Sequence, residues 1–126
     1  MAAEAIARVL VVDDDVTIRS TVAEALELEG YFVQRASNGA EALALVREQR
    51  PGAIVLDLMM PVMDGWAFIE HCRLEPACQG TPILVISAHR DLPRDAETLG
   101  VNGCIAKPFD LDVLVGAVDR LVQRAA

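Results

Sequence analysis

The chain has 126 residues, of which 53 % are hydrophobic and 24 % charged, enough for one domain whose core needs no covalent staples. A formal net charge of −8 argues against direct nucleic-acid binding. No stretch approaches membrane-spanning length and nothing near Met1 has a signal-peptide pattern, so a cytoplasmic location without a membrane partner is expected.

Arg8 to Val12 is a continuous β-branched apolar run and reads as a first buried strand, ending in Asp13-Asp14-Asp15. A helix follows from Val16, with Ile18, Val22, Ala25 and Leu26 on one stripe and Gly30 as its stop. Residues 31–35 form a second strand, polar enough for a sheet edge. Ser37-Asn38-Gly39 can cap a helix over 40–50, which Pro51-Gly52 breaks. Ile54, Val55 and Leu56 make a third buried strand ending at Asp57, and Asp64-Gly65 signals the start of a helix running to Leu74. A loop spans 76–82, and Ile83 to Ile86 form a fourth strand ending in Ser87. A short polar helix is expected over 91–99, then a fifth strand from Gly103 to Ala106, ending in Lys107-Pro108. Asp110 caps a final amphipathic helix with Leu111, Leu114, Val115, Val118, Leu121 and Val122 at helical spacing.

Five strands alternating with five helices imply a doubly wound α/β fold with a parallel sheet. The flavodoxin-like order 2-1-3-4-5 places the polar second strand at the edge and the most apolar strands inside. Sites in such sheets lie beyond the carboxyl ends of the strands, where strands 1 and 3 meet. Asp13-Asp14, Asp57, Ser87 and Lys107 all end strands on that edge. Strands about 4.8 Å apart must crowd the three carboxylates. Two unit charges about 4 Å apart repel by about 4 kcal/mol at an effective dielectric near 20. Lys107 cannot neutralise three acids, whereas a hard divalent cation with oxygen ligands can, and Mg²⁺ suits one or two carboxylates with waters and phosphate oxygens. Such a site could receive a phosphoryl group and spread its charge.

Each part also has a plainer reading. The acids after the first strand could cap a helix, Ser87 could be a loop hydroxyl, and Lys107 a solvated lysine. Their joint occurrence at successive strand ends speaks against coincidence. So does composition: ten of eleven basic residues are arginine, and Lys107 is the exception. A compact ammonium and a planar guanidinium are not exchangeable in a tight site. Cys72, Cys78 and Cys104 are odd in number and lack C-x-x-C spacing, so neither a disulfide framework nor a zinc site is expected.

Across essentially its whole length the chain resembles the receiver domains of two-component response regulators. The likeness rests on VLVVDDD at the first strand, DLMMPVMDG around Asp57, ISA at the fourth strand and KPF after the fifth. It implies a single phosphoacceptor domain over 1–126, similar to chemotaxis regulators, with no output domain in this chain. Asp57 would accept a phosphoryl group from a sensor histidine kinase or a histidine phosphotransfer protein. Asp14, Asp57 and the Met59 carbonyl would bind Mg²⁺, with Asp13 acting through water. Lys107 would pair with a phosphoryl oxygen, Ser87 would hydrogen-bond it, and the Lys107-Pro108 bond would be cis. The family catalyses its own phosphorylation and dephosphorylation rather than turning over a separate substrate. Met59 and His89 would tune phosphoryl lifetime, although His89 fits a plain loop histidine slightly better. The downstream protein is unknown, and a monomer or a weak phosphorylation-dependent dimer is expected.

One position departs from the pattern. Cys104, three residues before Lys107, stands where the family usually has Tyr, Phe or His. That aromatic normally swings inward on phosphorylation and reshapes the face made by the fourth helix, fifth strand and last helix. A cysteine is too small to gate the face in this way; a small buried filler suits it better than a redox sensor. An interaction module working without phosphorylation is therefore the alternative. A phosphate-ester hydrolase is disfavoured, because Asp57 lacks a second acid two residues on and no inserted segment could enclose a substrate.

Overall fold

The computed structural model describes residues 7–88 and 99–125. Five strands, β1 (Arg8–Val12), β2 (Phe32–Ala36), β3 (Ala53–Asp57), β4 (Ile83–Ser87) and β5 (Gly103–Ala106), form one sheet in the order β2-β1-β3-β4-β5. Every pairing is parallel. Four α-helices lie among the described residues: α1 (Val16–Leu28), α2 (Gly39–Glu48), α3 (Gly65–Leu74) and α4 (Leu111–Ala125). The helix expected over 91–99 and the candidate His89 lie outside the described residues, apart from Leu99 at the end of that span.

Alternate residues along each strand serve opposite cores, as the period of two requires. Leu10, Val12, Ile54, Leu56 and Val85 pack with Ala42, Leu43 and Val46 of α2 and Phe68 and Ile69 of α3. Val9, Val11, Val55, Leu84 and Ile86 pack with Val22 and Leu26 of α1 and Leu114, Val118 and Leu121 of α4. Strands buried on both faces need the unbroken apolar runs seen in β1, β3 and β4. No described helix is long and apolar enough to cross a membrane.

Short polar side chains start the helices where the sequence places them. Asp15 accepts from the Ile18 N–H, Asn38 from Glu41 and Asp64 from Ala67. Glu41 returns to the Ser37 N–H and hydroxyl, and α2 runs Gly39–Glu48, beginning one residue before and ending two residues short of the expected span. β2 sits one residue later than expected. Tyr31 is left outside the strand, and its hydroxyl donates to Asp119 of α4.

Two corrections fall between α3 and β4. The loop over 76–82 contains a 3₁₀ turn, Pro76–Cys78. Within it Cys78 meets Cys72 in a disulfide, against the expectation of no such link, with the two Cα atoms 5.2 Å apart. The turn doubles the chain back beneath the last turn of α3, bringing together cysteines six positions apart. Spacing in sequence gave no sign of that fold-back.

Candidate functional site

The carboxyl ends of β1, β3 and β4 and the residue after β5 converge on one edge of the sheet, as expected of the topological switch point. β1 and β3 run in register, Val12 beside Leu56, so the next residues Asp13 and Asp57 come out side by side. One ligand oxygen from each of Asp13, Asp14 and Asp57 can lie within 4.8 Å of the others. Asp13 and Asp57 are buried, Asp57 to 3 % exposure, while Asp14 is exposed.

Asp13 is held from several directions. Its N–H donates to the Ala36 carbonyl, its Oδ1 accepts from the Asp15 N–H at 2.9 Å, and its own carbonyl accepts from Arg19 at 2.8 Å. Lys107 spans the acids, with Nζ 2.9 Å from Asp13 Oδ2 and 3.5 Å from Asp57 Oδ1. The Lys107 peptide N–H donates to the Ser87 carbonyl, and the Lys107-Pro108 bond is cis, as the resemblance implied. Ser87 is fully buried at the end of β4, one residue beyond Ile86, the partner of Asp57.

Burial, and then the Asp13 charge, push the Asp57 carboxyl up to about 6, against the pull of Lys107 and of the Met59 N–H that it accepts. Burial also disfavours the Lys107 ammonium, but its hydrogen bond and charge contacts with Asp13 and Asp57 prevail and raise its pKa. One ammonium thus serves two buried carboxylates with a third beside them, and negative charge remains in excess. Hard oxygen donors with uncompensated charge suit a divalent cation such as Mg²⁺. Asp14 opens onto a shallow cleft lined also by Met59, Pro61, Asp64 and Trp66, leaving the cluster reachable from outside.

Gly65 and Val62 shape the loop after Asp57. The Gly65 N–H donates to the Leu58 carbonyl at 2.9 Å. A Cβ on Gly65 would lie 2.6 Å from the Asp57 carbonyl and 2.7 Å from the Leu58 Cα, so only glycine allows α3 to start this close. Val62, exposed and β-branched, holds φ at 68°, a strained conformation for its type. Arg19 and the packing role of Gly65 had no place in the sequence reading. A glycine directly after a helix-capping Asp hinted at the second; nothing in sequence pointed Arg19 at the Asp13 carbonyl.

Cys104 lies three residues before Lys107, beside Val85 of β4, half-buried against the core shared with α2 and α3. It is not part of the carboxylate cluster.

A doubly wound sheet carrying an acidic cluster and a lysine at its switch point is the arrangement that the resemblance to receiver domains implied. The family model described as "Response regulator receiver domain" matches residues 9–119, and the chain belongs to that family of two-component signalling domains. Among relatives, the response regulator MprA of Mycobacterium sp. strain KMS is 38 % identical over 122 residues, covering 94 % of this chain and 52 % of that one. MprA of Mycobacterium leprae strain TN is 38 % identical over 120 residues, covering 93 % and 51 %. The chain therefore spans about half the length of the curated relatives it matches. Among solved structures, the chemotaxis response regulator CheY4 of Vibrio cholerae superposes with a TM-score of 0.85 at 34 % identity, over 93 % of this chain and 99 % of that one. A response regulator from Chloroflexus aurantiacus J-10-fl, described as putative, gives 0.87 at 32 % identity, covering 95 % and 100 %.

Proposed function

We propose that Asp57 is the phosphoacceptor and that the chain takes a phosphoryl group there from a phosphohistidine, changing how it binds a downstream protein. The observation that carries this reading is the buried Asp57 carboxylate shared by one lysine with a second buried acid. With its carboxyl pushed up to about 6, Asp57 is mostly ionised at neutral pH yet more basic than an ordinary aspartate. In the transfer an Asp57 oxygen forms a bond to phosphorus while the bond from phosphorus to the imidazole nitrogen breaks. Lys107, already 3.5 Å from Asp57 Oδ1, pairs with a phosphoryl oxygen as charge develops there. The buried Ser87 hydroxyl hydrogen-bonds another.

Asp14, Asp57 and the Met59 carbonyl would hold Mg²⁺, with Asp13 acting through water. The ion would supply positive charge to the phosphoryl oxygens. Hydrolysis by the domain itself ends the signal: water attacks phosphorus and Asp57 is released as carboxylate. By the resemblance Met59 and His89 would tune the phosphoryl lifetime, and Cys104 would stand at the switch position. The domain works in the cytoplasm as a monomer or a weak phosphorylation-dependent dimer.

Incubation with Mg²⁺ and acetyl phosphate tests the reading through the intact mass. One phosphoryl group should add, with no gain in EDTA. No adduct with donor and metal in excess would favour an interaction module that works without phosphorylation.

A further inference from the structure

We propose that Cys72 and Cys78 are a redox-active pair, a modification site that small disulfides oxidise and small thiols reduce. The two residues sit at the opposite end of α3 from the carboxylate cluster: Cys72 in its last turn and Cys78 at the end of the 3₁₀ turn. Their Cα atoms, 5.2 Å apart, lie within the span that a disulfide bridges without backbone movement. Both side chains are shielded by the core beneath α2 and α3, yet both border an open cleft of about 380 Å³ shared with Arg73, Gln79 and Thr81. That cleft gives a small thiol or disulfide a route to the sulfurs. The Thr81 hydroxyl, buried and without a hydrogen-bond partner, lines the same cleft and offers a polar contact for such a visitor.

The exchange balances with a small disulfide such as oxidised glutathione. One cysteine thiolate attacks the small disulfide and expels one thiolate, leaving a mixed disulfide. The second cysteine, already beside it, attacks the protein sulfur and expels the other thiolate. Two protein thiols lose two electrons and two protons, and one small disulfide becomes two thiols. The linkage ties the end of α3 to the turn leading into β4. α3 begins against the Asp57 carbonyl and β4 ends in Ser87, so the staple closes the far side of the unit that carries both.

The full chain, equilibrated in buffers of varied reduced-to-oxidised glutathione ratio, would be acid-quenched, alkylated under denaturing conditions and mapped by peptide mass. Three alkylated cysteines are expected in reducing buffer. Only Cys104 should be alkylated in oxidising buffer, with Cys72 and Cys78 recovered as one linked peptide and the change fully reversible. Closing so short a loop should raise Tm by about 5–10 °C on oxidation. That rise should persist in Cys104→Ser and be absent from Cys78→Ala, each compared with itself in the two buffers. Should Cys78→Ala fail to fold, the peptide map of the unaltered chain decides. Three alkylated cysteines at every ratio, glutathione left on either cysteine, a link through Cys104, or a disulfide that no ratio reopens would each overturn the proposal. Because no step reads phosphorylation, the outcome is independent of the role given to Asp57.

Discussion

Replacing Asp57 by asparagine removes a buried charge while nearly keeping the side chain's shape. In the folded protein its carboxyl titrates near 6 instead of the ordinary 3.8, so folding disfavours the ionised form. At about 1.36 kcal/mol per pH unit the gap corresponds to about 3 kcal/mol. The sign follows from proton binding: between 3.8 and about 6 the folded state holds a proton that the unfolded state has lost, so rising pH destabilises the protein across that window. Above it the cost is complete, and below it there is none. Asparagine returns part of the gain, because its single oxygen cannot serve both Lys107 and the Met59 N–H. The lost hydrogen bond costs about 1 kcal/mol, leaving Asp57→Asn about 2 kcal/mol more stable at pH 8 without metal. At about 2.1 cal/mol/K per residue, a chain of 126 residues turns this into a Tm rise of roughly 7 °C. Thermal melts in EDTA at pH 8 and at pH 4.5 measure it, and the advantage should disappear at the lower pH. A variant no more stable than the parent at pH 8, or an advantage independent of pH, would refute the electrostatic reasoning.

Other changes give further checks. Mg²⁺ at ten times its Kd should raise Tm by about 5 °C through binding to the folded state, and Asp14→Ala, exposed and therefore mild for folding, should abolish the rise; an unchanged rise would remove Asp14 from the ligand set. Gly65→Ala must push the Asp57 carbonyl or α3 aside, with an expected loss of about 2–3 kcal/mol in urea unfolding; a neutral effect would mean the loop yields easily. Val62→Gly relieves a positive φ at an exposed position and should gain about 1 kcal/mol, read as a rise of a few degrees in Tm.

Much of this architecture was legible in the chain. Strands buried on both faces demand continuous apolar runs, and RVLVV, AIVL and ILVI appear in β1, β3 and β4 with few alternatives. The polar β2 stands at the edge, as its composition suggested. A parallel sheet puts all strand ends on one side, so the aspartates and Lys107 could be gathered before any coordinates were known. What depended on three-dimensional packing was not legible. The fold-back at Pro76–Cys78 sets the Cys72–Cys78 contact, and neither spacing nor count reveals it. The reach of Arg19 to the Asp13 carbonyl follows from where α1 crosses β1. β2 begins one residue late because the Tyr31 N–H donates to the Leu26 carbonyl at the end of α1.

The central claim is that Asp57, and no other carboxylate, receives the phosphoryl group. After reaction with acetyl phosphate and Mg²⁺, borohydride reduction converts an aspartyl phosphate to homoserine, which peptide mass spectrometry can place. Homoserine at position 57 alone, and none in Asp57→Asn, is the expected result. Homoserine at position 13 or 14, or an adduct that survives unchanged in Asp57→Asn, would contradict it.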